Sequence, residues 1–289
     1  MTTATLEPRR TSRGLKRWAR RLLGGAAALA LLAAGGIWLK AEAALHRHWP
    51  AGPAELAVAP APALVPEGER LFRAFGCHDC HQDAGRVLFE ARGVGRLVAP
   101  NLTRSLPGFT DADLVRAVRQ GIRPDGTSLV VMPTGALDEI SDRDLAAILA
   151  YLRTVPPRPD AVSGGTDWGP LGRVAIAAGA IPFSAAAAEA GVARPERPAP
   201  EGAYLARTIC AGCHDLDLPR DDGLGFVAPA LRDVAPAYSA DGFRHLLRTG
   251  APLDGRDLGP MKEAALGALS HLTDPEIDAL YGYLTEAPE

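Results

Sequence analysis

The sequence predicts an all-α protein, with one apolar N-terminal helix followed by two similar helical units. Three observations carry this reading. They are an uncharged apolar run from Leu22 to Leu39, two C-x-x-C-H strings, and a repeat that relates the segments following those strings. The chain has 289 residues, enough for two small domains rather than one large one. Aromatics are only 6% of it and much of the apolar content is alanine, so the units need a further source of apolar core.

Arg9, Arg10, Arg13, Lys16, Arg17, Arg20 and Arg21 precede the apolar run, and Trp18 and Trp38 flank it. Its 18 residues are near the lower limit for crossing a bilayer. The positive-inside rule places residues 1–21 in the cytoplasm as a basic tail, 22–39 in the membrane, and everything after Lys40 outside. The competing reading is a cleaved signal peptide, with Ala41-Glu42-Ala43 as an A-x-A-like site; the length of the run favours an uncleaved anchor. Residues 40–65, with Pro50, Pro53, Pro60 and Pro62, read as a Pro/Ala tether lifting the first unit off the membrane. Residues 159–199 read as a linker, with Ala185 to Ala188, Pro195 and Pro198. Within it, Leu171 to Ile181 is apolar but too short to span and is expected to pack on a domain face. Residues 1–40 carry a net charge of +7 and the rest −10. That balance argues against nucleic-acid binding; the acidic remainder serves either solubility or docking to a basic partner face.

The repeat has an offset of 129–133. Ala99-Pro100-Asn101-Leu102 matches Ala228-Pro229-Ala230-Leu231. Leu114 to Gly121 matches Phe243 to Gly250, and Met132 matches Met261. Leu145, Ile148, Leu149 and Leu152 match Ile277, Leu280, Tyr281 and Leu284, at the i, i+3, i+4, i+7 spacing of an amphipathic helix. Helix starts are expected at Thr110 with Asp113, Ser141 with Asp144, and Thr273 with Glu276. Gly121 is expected to close the middle helix of the first unit, and Pro156 and Pro157 to stop its last one.

The two strings are Cys77-His78-Asp79-Cys80-His81 and Cys210-Ala211-Gly212-Cys213-His214. C-x-x-C-H is the attachment signature of haem c. Two thiols at this spacing can form thioethers to one porphyrin, and the following His falls under the iron. Two strings predict two covalently bound haems. Half of a zinc site or a dithiol motif would also use C-x-x-C, but neither needs the His. These are the only four Cys of the chain.

With these motifs the chain resembles the class I cytochrome c fold, present twice, as domains over 66–158 and 200–289. Ala99-Pro-Asn-Leu-Thr, Gly121-Ile-Arg-Pro-Asp-Gly and Val131-Met-Pro resemble the membrane-attached cytochrome c subunits of bacterial periplasmic dehydrogenases. The resemblance implies that the N- and C-terminal helices of each unit cross and that a haem edge is exposed. It also implies that the carbonyls of Pro100 and Pro229 accept the N–H of His81 and His214. Met1 is the initiator, leaving Met132 and Met261 as one soft thioether per unit for the second iron position. Core-filling is the competing role for each Met, and His245 or His271 could replace Met261. His78 points elsewhere, and His46 and His48 are expected to do no more than supply polarity at the membrane interface.

The expected function is single-electron transfer in the periplasm by a membrane-anchored dihaem cytochrome of the inner membrane, a component of a respiratory chain and not itself an enzyme. The donor would be a dehydrogenase or a quinol-oxidising complex, and the acceptor an oxidase or a small cytochrome. The alternatives are a dihaem peroxidase, an integral haem subunit of one oxidoreductase, and a zinc-bound structural module.

Overall fold

The apolar run forms one continuous helix, α1 (Ser12–Leu45), in a computed structural model that describes residues 12–81, 85–159, 162, 164–186, 194–221 and 226–286. Arg9 and Arg10 of the basic tail, and Ala187 and Ala188 of the linker, lie outside the described residues. Among these it is the one helix long and apolar enough to cross a membrane, with mean hydropathy 2.0. At ~1.5 Å per residue it is roughly 50 Å long, longer than the ~30 Å hydrocarbon layer, so an end must project.

The first half continues through α2 (Val65–Ala74), α3 (Cys77–Cys80), a hairpin of β1 (Arg86–Ala91) and β2 (Gly95–Ala99), and α4 (Leu102–Ser105). It ends with α5 (Asp111–Val115), which runs on through a π-helical turn at Arg116–Gln120, then α6 (Thr134–Leu137) and α7 (Asp142–Leu152). Next come β3 (Asp167–Trp168) and α8 (Pro170–Ala177). The second half holds α9 (Glu201–Leu205), extended by a π-helical turn at Ala206–Cys210, then β4 (Arg220–Asp221), β5 (Val227–Ala228) and α10 (Leu231–Val234). α11 (Ala240–Thr249), α12 (Pro260–Gly267) and α13 (Asp274–Thr285) complete it.

The all-α expectation is corrected by two small antiparallel sheets, β1-β2-β3 and β4-β5. The longer hairpin was hidden because a bulge between Val87 and Phe89 breaks the period-two pattern. Gly95, at φ 127, lets β3 approach: a Cβ there would collide with the carbonyl of Asp167. The helix ends follow their capping chemistry. Thr110 with Asp113 and Thr273 with Glu276 form full capping boxes, Ser141 accepts from the N–H of Asp144, and Gly121 closes its helix at φ 64.

Two helix crossings organise the molecule. α2 packs on α7 and α9 packs on α13. At the first, a Cβ on Gly68 would collide with the Ala147 carbonyl and sit 2.9 Å from Cβ of Tyr151. At the second, a Cβ on Gly202 would collide with the Ala279 carbonyl and sit 2.6 Å from Cβ of Tyr283. The backbones therefore touch at a glycine, with the same partner types each time. One apolar cluster then runs through both halves, from Leu71, Leu145 and Leu149 to Tyr204, Phe243, Leu247 and Leu280. The segment around residues 50–57 is laid against the first half: the N–H of Gly52 donates to Gln120, that of Ala57 to Asp142, and Ala54 is buried.

A charged network also joins the halves. Glu276, at the start of α13, accepts from Arg70 of α2 (2.8 Å and 3.0 Å) and from Arg197 (2.7 Å). Arg197 also donates to Asp144 at the start of α7 (2.7 Å), and the hydroxyl of the buried Tyr204 donates to the same carboxylate (2.8 Å). First-turn acids of both final helices thus meet through one guanidinium. Burial alone would push the Glu276 carboxyl up, but the hydrogen bonds from Arg70, Thr273 and Arg197 outweigh it and hold it at about 2, against an ordinary 4.5.

Two outcomes follow. Gly68→Ala and Gly202→Ala are each expected to lower stability by roughly 1–3 kcal/mol or more through overpacking; Gly282→Ala, in α13 with open space around it, is expected to be neutral or stabilising. Thermal melts of the three variants check this. Because the folded pKa of Glu276 is depressed, its contribution is complete above about 4.5 and is lost as pH falls toward about 2. Urea melts across that window should show the loss, on the order of 2 kcal/mol, and Glu276→Gln should flatten it.

Candidate haem-binding sites

Each C-x-x-C-H string sits at the end of a crossing helix. Gly76, at φ 71, turns the chain out of α2 into the single turn of α3, which carries Cys77 and Cys80. In the second half the π-helical turn at Ala206–Cys210 delivers Cys210 directly. π-helical turns are frequent at functional sites because they re-aim side chains without ending the helix.

The hairpins do the next step. In each half the return strand, β2 or β5, ends in Ala-Pro, and the Pro carbonyl meets the His of the motif. His81 Nδ1 lies 3.3 Å from the Pro100 oxygen, and His214 Nδ1 lies 2.8 Å from the Pro229 oxygen. A carbonyl can only accept, so Nδ1 carries the proton and Nε2 keeps its lone pair for a metal. Burial lowers the pKa of His81 and so favours the neutral ligand form, opposed in part by the Pro100 bond. Asn101 steadies the first loop: its side-chain oxygen accepts from the N–H (3.1 Å) and hydroxyl (2.7 Å) of Thr103. In the second half, where Ala230 replaces Asn101, the N–H groups of Leu231 and Arg232 bond back to the carbonyls of Asp215 and Leu216 just after His214.

Two residues escaped the sequence reading. Arg86 on β1 donates to the Asp79 carbonyl (2.9 Å), and Arg220 on β4 donates to the Ala211 carbonyl (2.5 Å). Each ties the hairpin to the turn between the two Cys. An Arg five or six residues after each motif was the available signal. Gly68 and Gly202, nine and eight residues before the first Cys of each motif, were a second.

The sulfurs fit a covalent haem. Burial pushes the Cys77 and Cys210 thiols up to about 12, so these two sulfurs lie in apolar surroundings that suit a neutral thioether. Among the described residues no group of three or more Cys, His, Asp or Glu is arranged to hold a metal ion, so the Cys pairs do not assemble one four-thiolate site. Beside the first motif a cleft is lined by Phe72, His81, Leu102, Thr103, Tyr151, Leu152 and Val155, mostly apolar or aromatic walls with the imidazole in one of them. This donor set suits a flat apolar group carrying a central metal.

Met132 and Met261 are both partly buried against the shared core. Their settings differ. Met132 follows Val131, a β-branched residue at φ 69, the only non-glycine with positive φ among the described residues. Such strain costs on the order of 1–3 kcal/mol and persists where surrounding bonds hold it. Here the N–H of Ser184 donates to the Leu129 carbonyl (3.0 Å), and Val130 bridges to Phe183. Met261 instead occupies the first turn of α12, behind Gly259 at φ 54. The remaining His make other contacts. His78 meets the edge of Phe72 at 6.2 Å, the His271 carbonyl accepts from Arg70 (3.0 Å), and the His46 ring bonds back to the Glu42 carbonyl (2.9 Å). His48 bridges to Thr127 through its backbone, and the His245 carbonyl accepts from Thr249 (2.8 Å).

Comparison with known proteins agrees with this chemistry. Residues 63–152 match the family model described as cytochrome c oxidase, cbb3-type, subunit III. The chain is 28% identical over 269 residues to the gluconate 2-dehydrogenase cytochrome c subunit of Pantoea cypripedii, covering 77% of this chain and 59% of that protein. It is 27% identical over 267 residues to the fructose dehydrogenase cytochrome subunit of Gluconobacter japonicus, covering 78% and 52%. Over 154 residues it is 29% identical to a diheme cytochrome c-type protein of Cereibacter sphaeroides, covering 48% and 49%. The chain therefore spans about half to three-fifths of the length of these relatives.

Proposed function

We propose that this chain, which carries a cytochrome c family domain over residues 63–152, is a membrane-anchored dihaem c-type cytochrome that passes single electrons on the periplasmic side of the inner membrane. The observation that carries the reading is the repeated His–Pro geometry. Both motifs present a His whose Nδ1 is engaged by a Pro carbonyl at the end of a return strand, leaving Nε2 free to ligate. Cys77, Cys80 and His81 would hold one haem, and Cys210, Cys213 and His214 the other. Met132 and Met261 would close the second iron positions.

Haem c supplies a one-electron ferric/ferrous couple when bound. The protein's part is to orient each imidazole, to surround the Cys77 and Cys210 sulfurs with protein, and to offer a thioether that raises the potential. A Met at each second position would leave no vacancy for peroxide, which speaks against a peroxidase.

The domain division at 66–158 and 200–289 is supported by the two equivalent crossings at Gly68 and Gly202. Retention of the anchor is supported by its C-terminal end. Ala41 is fully buried, and Glu42 pairs with Arg173 at 2.8 Å, so cleavage after Ala43 would strip packed residues from the fold. The names of the relatives favour a dehydrogenase as donor over a quinol-oxidising complex, and a place within a dehydrogenase complex; an oxidase or small cytochrome would accept.

A potentiometric titration followed in the visible tests this. The wild-type chain is expected to show two low-spin components at high potential. Met132→Ala and Met261→Ala should each convert one component to a high-spin or lower-potential form and leave the other unchanged. If both variants titrate as wild type, the two Met are not ligands. A high-spin component in the wild type would favour the peroxidase.

A further inference from the structure

We infer that α8 and the tip of the β1–β2 hairpin form a second membrane contact, lying in the headgroup–acyl boundary beside the point where α1 leaves the bilayer. The inference rests on the anchor reading above and adds a lipid-facing surface on the haem-bearing part of the chain.

The apolar run of α1 ends at Leu39, and Trp38 stands where interfacial aromatics belong. Arg173 of α8 lies over the Trp38 ring at 3.8 Å and pairs with Glu42 at 2.8 Å. That sets α8 at the depth of Trp38. The inner face of α8 is spent on packing: Gly172 and Ile176 are buried, and Ile176 shares a small apolar cluster with Ala41 and Trp168. The outer face presents Leu171 (60% exposed) and Val174 (46% exposed), three residues apart on one side of the helix. From Trp168 to Phe183 the only charged side chain is Arg173, and Glu42 neutralises it. A charge-free face of this kind, with large apolar side chains outward, is costly in water but suited to the lipid boundary.

The hairpin adds the complementary charge. α8 is docked on the hairpin turn, with the N–H of Leu171 donating to the Gly93 carbonyl (2.9 Å) and that of Gly169 to Val94 (2.9 Å). Arg92, exposed at that turn, therefore sits beside Leu171. Lys40 is exposed on α1 one residue past the apolar run. Apolar side chains bordered by cations match an interface of acyl chains and anionic headgroups. Continuity with α1 selects lipid as the occupant: a surface packed on the emerging helix at Trp38 meets the bilayer first. The contact would hold the first haem unit against the membrane, in contrast to the free tether expected for residues 40–65.

The haem-loaded full chain, in nanodiscs containing anionic lipid and a lipid with a photoreactive acyl chain, tests this. After illumination, lipid adducts are mapped by peptide mass spectrometry. Adducts are expected on α1 and on the peptide carrying Leu171 and Val174, with none around Leu218 and Leu253, which are 67% and 73% exposed in the second half. The double variant Leu171→Glu with Val174→Glu should cut the α8 adducts several-fold and leave those on α1. Adducts on α1 alone, or α8 adducts unchanged in the double variant, would overturn the inference while leaving the anchor intact. Absence of adducts on α1 would overturn the anchor reading and this inference with it.

Discussion

Close backbone contact at two glycines is the constraint on which the rest depends. α2 can lie against α7 only because Gly68 has no Cβ to meet the Ala147 carbonyl, and α9 against α13 only because Gly202 has none to meet that of Ala279. The crossing brings Phe72 to Tyr151 in the first half, with ring centroids 5.7 Å apart. It also fixes where the helix preceding each C-x-x-C-H string ends, and so where the sulfurs and the imidazole are delivered. A side chain at either glycine would push the helices apart and move the attachment point with them.

The hairpins act on the opposite wall. They are too short to be stable alone, and Arg86 and Arg220 hold them to the motif turns. Their return strands then aim a Pro carbonyl at each His. Proton placement on Nδ1, and with it the availability of Nε2, is therefore a consequence of strand pairing in a molecule that is otherwise mostly helical. The two halves differ in how this loop is steadied, by the Asn101 side chain in one and by backbone bonds in the other. They differ again before the two Met, with a strained Val131 in one and a glycine in the other. Such differences give two similar sites separate means of tuning.

Much of the site was legible in the sequence because its signals are local. C-x-x-C-H, Ala-Pro and the capping pairs Thr110/Asp113 and Thr273/Glu276 each act within a few residues, and all reappear as geometry. The sheets were missed because the bulge at Val87/Phe89 scrambles alternation, and because β4 and β5 are two residues each. The joining of the halves was not legible either. Glu276 reads as a helix cap, which it is, whereas at the start of α7 Ser141 caps alone and the Asp144 carboxylate accepts from Arg197 and Tyr204 instead. The meeting of both acids at Arg197, and of Glu276 with Arg70, depends on residues 53 to 206 positions away that no local pattern connects. The single apolar cluster shared by both halves is likewise a property of packing, not of either repeat.

The most direct measurement is the haem stoichiometry of the full chain matured in a bacterial periplasm, by intact mass and pyridine haemochrome absorbance. The account predicts a polypeptide that begins before Ser12 and carries the mass of two covalent haems, reduced to one by Cys210→Ala with Cys213→Ala. A chain with no covalent haem, or one haem that survives that double substitution, would contradict it.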